Sequence, residues 1–365
     1  MTAGGQDALI VFIYPCPVIL DDNMGVFLTP IIVRKELELD DLRGKSFAVD
    51  GYIVLHEFLA LIRDRTGTPL KDRDGNITSH LVGLAFRTTR LISDYGMSLV
   101  FVFDGEPPSL KMREVERRRE AKRKAEEEYR EAVERGDLPA AFSKAVMTGG
   151  LTRDLVDDAK RLLDLLGIPW VQAPSEGEAQ AAYMARQGHV WASNSKDFDS
   201  LLFGAPRLVR FLSISGREWL PSKGRARRVY PELIDLEKFL GHLGINREQL
   251  IDLGILVGTD FNDGIKGVGP KTALKLVCEH GKIEDMPSDI RDRLPDTVDR
   301  IRELYLYPDV TDDYTVQQGI LREDELDAFL VGEKNFSVKR VQTLINRMRS
   351  RTAQKSLNEF FGGRG

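Results

Sequence analysis

The stretch HVWASNSKDFDSLLF, residues 189–203, holds an apolar run, a polar turn with two aspartates, and a second apolar run. HVWAS reads as a short buried strand and DSLL as the start of a helix, an alternation that points to an α/β fold. Asp197 and Asp199 stand one residue apart between the two elements. A local explanation is at hand, since Asp often marks a turn or caps a helix by accepting backbone N–H bonds. The sequence on either side shows that capping alone is not enough.

The same alternation recurs on either side. SFAV (46–49), SLVFVF (98–103) and IPWVQA (168–173) read as strands. The helical patterns are YIVLHEFLALIRD, HLVGLAFRTTRLISDYG, DLVDDAKRLLDLLG and SEGEAQAAYMARQG. This predicts a mostly parallel twisted sheet with helices on both faces. Strand signals fade after about residue 230 and the chain reads as largely helical. At 365 residues it has room for two domains or one large α/β domain with insertions. The net charge of −5 means that any affinity for nucleic acid must come from local basic patches. Cys16 and Cys278 cannot make a disulfide framework and fit a reducing compartment.

The strand ends carry the chemistry. FAVDG puts Asp50 directly after one strand, VFVFDG puts Asp104 after another, and Asp197 and Asp199 follow a third. Ligands of open parallel sheets bind beyond the carboxyl ends of the strands, so these acids are expected at one edge. Glu176 and Glu178 open a helix after IPWVQA, and Asp260 closes the apolar helix DLGILVGTD. Ser175 and Glu178 also fit a capping box, which leaves Glu176 unexplained. Carboxylates a few ångströms apart resist joint ionisation unless cations neutralise them. An oxygen-only donor set without a His or Cys cluster favours Mg²⁺ or Mn²⁺. Two such ions could clamp the attacking and leaving oxygens of a phosphodiester.

Cationic side chains stand nearby. GEPPSLKMREVERRREAKRK follows Asp104 with Lys111, Arg113, Arg117, Arg118, Arg119, Lys122, Arg123 and Lys124. Its first half suits phosphate contact, and its second half suits a solvated helix laced with i,i+4 ion pairs. A helix over 109–135 would reach ~40 Å and could form an arch or lid with GDLPAAFSKAVMTGG. In GIKGVGPKTALKL (264–276), Gly267 and Gly269 make a turn whose amides open onto a helix N-terminus. Lys271 and Lys275 follow on one face, the pattern of a helix–hairpin–helix that grips a nucleic-acid backbone.

Together MGVFLTPII, FAVDG, VFVFDGEPP, QAPSEGEAQAAYM, KDFDSLLFG, GTDFNDGIKGVGPKTA and QKSLNEFF appear in the order found in one family. From Met24 to its end the chain resembles an archaeal flap endonuclease, a structure-specific 5′ nuclease of replication and repair with a PIN-like core. The resemblance implies metal ligands at Asp50, Asp104, Glu176, Glu178, Asp197, Asp199 and Asp260, some direct and some through water. It implies two Mg²⁺ ions per site, with Mn²⁺ able to substitute, and a monovalent cation at the hairpin near Gly267. Lys111 and Arg118 would be the catalytic cations. Gly25 would lie beside the active site, and Gly25, His56, Arg87, Gly267, Gly269, Lys271 and Lys275 would contact DNA. His56 stands where the family carries a tyrosine that stacks on a base, and its charge changes near neutral pH.

The implied reaction is hydrolysis of DNA near the base of a 5′ flap, with 5′–3′ exonuclease activity beside it. A rival reading is a non-catalytic, clamp-associated DNA-junction binder; seven acids in place argue against it. The tail repeats the partner theme: Gln354, Leu357, Phe360 and Phe361 match a peptide that binds the sliding clamp (PCNA). No membrane partner, a monomer alone and a cytoplasmic, nucleoid-associated location are expected.

The regional division that follows is an N-terminal nuclease region at 24–125, an arch at 109–155 and an intermediate nuclease region at 156–260. A helix–hairpin–helix and helical DNA-binding region at 261–350 precedes a clamp-binding tail at 351–365. Residues 1–23 have two readings. Either translation starts naturally at Met24, or the segment is an extra strand or a disordered tail.

Overall fold

The computed structural model describes residues 12–13, 25–64, 68–135, 151–220 and 225–349. A seven-stranded sheet organises them. In chain order its strands are β1 (Lys35–Glu36), β2 (Ser46–Asp50), β3 (Ser98–Phe103), β4 (Trp170–Gln172), β5 (Ala192–Asn194), β6 (Arg207–Arg210) and β7 (Glu232–Asp235). Their spatial order is β1-β7-β6-β5-β2-β3-β4. The five strands from β6 to β4 are parallel, and β7 and β1 are antiparallel additions at one edge. The expected mostly parallel sheet is therefore present. The strand after residue 230 was missed because ELID is short and only half-buried at the sheet margin.

Helices are α1 (Gly51–Leu61), α3 (Met112–Glu134), α4 (Arg153–Leu166), α5 (Gly177–Arg186) and α6 (Asp199–Leu202). Later come α7 (Leu236–Leu243), α8 (Arg247–Val257), α9 (Pro270–His280) and α10 (Val298–Leu306). Between α1 and β3, Ser79–Val82, a π-wound Gly83–Thr88 and Thr89–Tyr95 run on as one helix, α2.

Period-two alternation assigns the two faces of the sheet. Phe47, Val49, Leu99, Phe101 and Phe103 pack with the helices α1, α2 and α4. Ala48, Val100, Val102 and Val171 pack with Ala181, Met184 and Ala185 of α5. Both faces are covered, which explains why these strands read as nearly continuous apolar runs. A separate apolar cluster joins α6, α7, α8, α9 and α10 and underlies the carboxyl edge. α4 shows the sequence logic clearly. Thr152 caps it by accepting from the Leu155 amide at 3.4 Å, Leu155, Ala159, Leu162 and Leu166 are buried along one face, and Gly167 ends it at φ +67°.

The strand order sets the site. The chain winds from β2 outward through β3 and β4, then returns to place β5 on the other side of β2. The crevice at such a reversal is where open α/β sheets bind ligands. Of residues 1–23, Phe12–Ile13 pair with Ile62–Arg63 in a two-residue antiparallel ladder, and the remainder lies outside the described residues. So do most of the expected arch tip, 136–150, and the tail from 350 onward with Gln354, Leu357, Phe360 and Phe361.

Candidate active site

Asp50 is the last residue of β2 and also the N-cap of α1, its Oδ1 accepting from the Ile53 amide at 2.9 Å. Asp104 follows β3 directly, and its Oδ1 accepts from the Gly177 amide at 2.7 Å. That bond ties the end of β3 to the start of α5, so Glu176 and Glu178 are delivered beside Asp104. The Ser175–Glu178 capping box does not form. The helix begins one residue later than expected, with Glu176 as N-cap and without a side-chain cap. Glu178 instead accepts from the Ser200 hydroxyl at 3.3 Å, reaching across to α6.

The Asp197–Asp199 pair behaves in the same way. Asp199 is the first residue of α6, and neither it nor Phe198 caps that helix through a side chain. Its Oδ2 accepts from the Val26 amide at 3.0 Å and its Oδ1 from the Tyr305 hydroxyl at 2.9 Å. Both partners are remote in sequence, so the local capping reading is corrected. Asp260 lies in the tight turn closed by the Thr259–Asn262 bridge, just beyond α8.

Two cations from the base of α3 enter among these acids. Lys111 pairs with Glu176 and, at 3.1 Å, with Asp260. Arg118 donates from Nη2 to both Asp260 oxygens at 3.1 and 3.2 Å, and from Nε to Glu114 at 2.8 Å. The charge balance divides the site into two parts. Despite burial, Lys111 and Arg118 hold the Asp260 carboxyl below its ordinary range. Lys111 is in turn held firmly protonated against its burial by Glu176 and Asp260.

On the other side, burial and then Asp104 push Asp50 well up, and burial, Asp199 and Asp197 do the same to Glu178. Asp197 is pushed up to about 8 by burial and Asp199, and Asp199 to about 6 by burial and Asp260. Burial is also the largest cause of the upward shifts at Asp104 and Glu176. Carboxylates thus crowd around Asp50, Glu178, Asp197 and Asp199, where Lys111, Lys196 and Arg118 offset burial and mutual repulsion only in part. Among the described residues no three Asp, Glu, His or Cys side chains converge tightly enough to grip one ion as they stand. The donor chemistry is nevertheless all oxygen, buried and anionic, which fits hard divalent cations.

Gly25 presses on this group. At φ +69° it places the position of a Cβ atom 1.8 Å from Asp199 Oδ2 and 3.3 Å from Asp197 Cβ. The Gly25 amide also hydrogen-bonds Asp260.

The remaining expected contacts are more scattered. His56 is exposed on α1, beyond Asp50. Arg87 is half-buried and donates to the Ser213 carbonyl at 3.3 Å, beside Glu57, rather than projecting into solvent. Gly267, at φ +89°, and Gly269 form an open turn before α9, whose Lys271 and Lys275 are exposed, Lys275 lying 3.6 Å from Glu279. Sequence reasoning missed Tyr305, which sits in an amphipathic helix and reads there as an ordinary core residue.

The XPG N-terminal domain family matches residues 24–125 and the XPG I-region family matches residues 167–260. Flap endonuclease 1 of Aeropyrum pernix is 47% identical over 353 residues, covering 93% of this chain and 100% of that protein. The chain belongs to the flap endonuclease family. The solved flap endonuclease-1 from Methanococcus jannaschii superposes with a TM-score of 0.72 at 39% identity, covering 91% of this chain and 100% of that one. A more distant enzyme, the Holliday junction-resolving GEN1 solved with product DNA and a Mg²⁺ ion, shares the fold. Its TM-score is 0.55 at 19% identity, over 88% of this chain and 75% of that one. The N-terminal match contains Asp50, Asp104, Lys111 and Arg118, and the I-region match contains the other five acids. Tyr305 and α10 lie outside both.

Proposed function

We propose that this flap endonuclease family member cuts the DNA backbone at the base of 5′ single-stranded flaps, with 5′–3′ exonuclease activity on related ends, in replication and repair. The observation that carries the reading is the meeting of seven carboxylates and two cations from separate elements at the reversal point of the sheet. A scaffold that only bound DNA junctions would have no use for so many buried, mutually repelling acids.

Asp50, Glu178, Asp197 and Asp199 would hold divalent ions, with Asp104, Glu176 and Asp260 completing the shell. Two Mg²⁺ ions are the reading for this set, with Mn²⁺ as a substitute. When bound, such ions activate an attacking water and neutralise the charge that develops on the leaving oxygen. The chain's own residues do the rest. Lys111 is a fixed ammonium, held protonated by Glu176 and Asp260, and Arg118 adds a planar cation beside it. On substrate binding both face the scissile phosphate, where preorganised positive charge favours the transition state. The open turn at Gly267–Gly269 and the N-terminus of α9 grip a backbone phosphate of the duplex, aided by Lys271 and Lys275. A monovalent cation at that hairpin is part of the proposal. The arch based on α3 admits the free 5′ end, and the tail around Gln354, Leu357, Phe360 and Phe361 docks on the sliding clamp.

Mg²⁺-dependent cutting of a labelled 5′-flap duplex, compared with single-stranded and fully duplex controls, tests the reading. The wild-type chain should cut at the flap base in preference to both controls. Asp199→Ala should keep DNA binding and lose nearly all cleavage; full activity in that variant overturns the metal assignment.

A further inference from the structure

Both oxygens of Asp199 are held by groups remote from it in sequence. Oδ2 accepts from the Val26 amide and Oδ1 from the Tyr305 hydroxyl, at 3.0 and 2.9 Å. Each carboxylate oxygen offers two lone-pair positions, so these two bonds orient the group and still leave a position on each oxygen for an ion.

Tyr305 is itself rigidly placed. It is fully buried, and its ring lies against Phe203, just after α6, and Phe261, just after Asp260, at centroid distances of 4.7 and 5.4 Å. Arg247 brackets the two helices concerned, donating from Nη2 to the Tyr305 carbonyl at 2.6 Å and from Nε to the Leu202 carbonyl at 3.0 Å. Leu202 ends the helix that Asp199 begins. One turn earlier in α10, Arg302 grips both oxygens of the buried Asp252 on α8 at 2.6 and 2.8 Å. At the other end of α10, Arg300 donates to the Ser109 hydroxyl at 2.8 Å, two residues from Lys111. α10 is therefore anchored to α8, to α6 and to the base of the arch, and it presents one hydroxyl to one metal-site carboxylate.

We propose that Tyr305 is a positioning residue that fixes the Asp199 carboxylate for divalent-ion binding, with α10 as the strut that holds it there. The proposal rests on Asp199 as a divalent-ion ligand. A phenylalanine at 305 would keep the ring packing and remove only the hydroxyl, so the oriented hydrogen bond can be separated from the volume it occupies. Removing outer partners of metal ligands typically weakens metal binding by about 10–100-fold.

The test is a Mn²⁺ titration of the DNA-free full chain, followed by electron paramagnetic resonance, in wild type, Tyr305→Phe, Asp199→Asn and the double variant. Melting temperatures are recorded alongside. Tyr305→Phe should weaken Mn²⁺ binding by roughly 10-fold, and the double variant should bind no more weakly than Asp199→Asn, because the two residues act through one carboxylate. Wild-type affinity in Tyr305→Phe, with or without a lowered melting temperature, overturns the positioning role. So does additive weakening in the double variant. If Asp199→Asn itself binds Mn²⁺ like wild type, the ligand assignment fails and the inference falls with it.

Discussion

Substituting alanine at Gly25 isolates the geometry of the carboxylate pair from the chemistry of its charges. The added Cβ would sit 1.8 Å from Asp199 Oδ2, whereas real Cβ atoms stay beyond 3.0 Å of other heavy atoms. Either residue 25 or the Asp199 carboxylate must therefore move by at least about 1.2 Å. The Val26 amide, bonded to the same oxygen at 3.0 Å, moves with it or loses its partner. Displacements of about 1 Å at a reacting centre can cost on the order of 10²-fold in rate, close to 3 kcal/mol of barrier.

A second glycine supplies the control. Gly44 has the same φ of +69° but nothing within 4 Å of its Cβ position. Gly44→Ala therefore carries only the left-handed backbone cost of roughly 1–2 kcal/mol. The assay is kcat/KM on a 5′-flap duplex at saturating Mg²⁺, with thermal melting of both variants. Gly44→Ala should melt a few degrees lower and cut like wild type, and Gly25→Ala should lose about 10²-fold in cutting. Equal cutting by the two variants would refute the view that residue 25 sets the position of Asp199.

Three further outcomes follow from the same contacts. Lys111→Met removes the ammonium between Glu176 and Asp260, so kcat should fall by about 10²–10³-fold while DNA affinity changes little; an unchanged kcat would remove Lys111 from the chemistry. Burial pushes the Glu57 carboxyl from 4.5 up to about 7, against the opposing effects of Ser213, Lys196 and Arg87. Its folded-state value lies above its unfolded one, so its contribution to stability is full below about pH 4.5 and is lost as pH rises through about 7. Melting temperature should accordingly decline less between pH 5 and pH 8 in Glu57→Gln than in wild type, and parallel declines would contradict the shift. Deleting residues 354–365 should leave basal flap cleavage intact and abolish stimulation by the sliding clamp; loss of basal cleavage would make the tail part of the folded enzyme.

The parts of this protein that were readable in advance share one property: their signal is local. Apolar runs with acids directly after them, as in FAVDG and VFVFDG, mark strands and their carboxyl ends because a strand covered on both faces needs apolar side chains along its whole length. The same holds for the turn Gly267–Gly269 ahead of α9 and for the cationic start of α3. The reading failed where a local rule had a distant competitor. Ser175 and Glu178 carry the capping pattern, yet the Gly177 amide is taken by Asp104 and Glu178 turns to Ser200. Arg87 is expected among the DNA contacts, yet it turns inward to Ser213 beside the buried Glu57.

The sequence by itself determined which residues could do chemistry and that Asp50 and Asp104 close strands. It could not determine strand order, because β5 pairs beside β2 across more than a hundred residues of intervening chain and no short-range pattern encodes that choice. That order opens the crevice where Asp50 meets Asp197. The tertiary structure alone also decided what holds the acids in place: the Val26 amide, the Tyr305 hydroxyl and the close approach of Gly25 come from segments remote in sequence from Asp199. Like charges repel at short range whatever their sequence spacing, so a cluster of buried carboxylates can be kept in register only by the packed body around it.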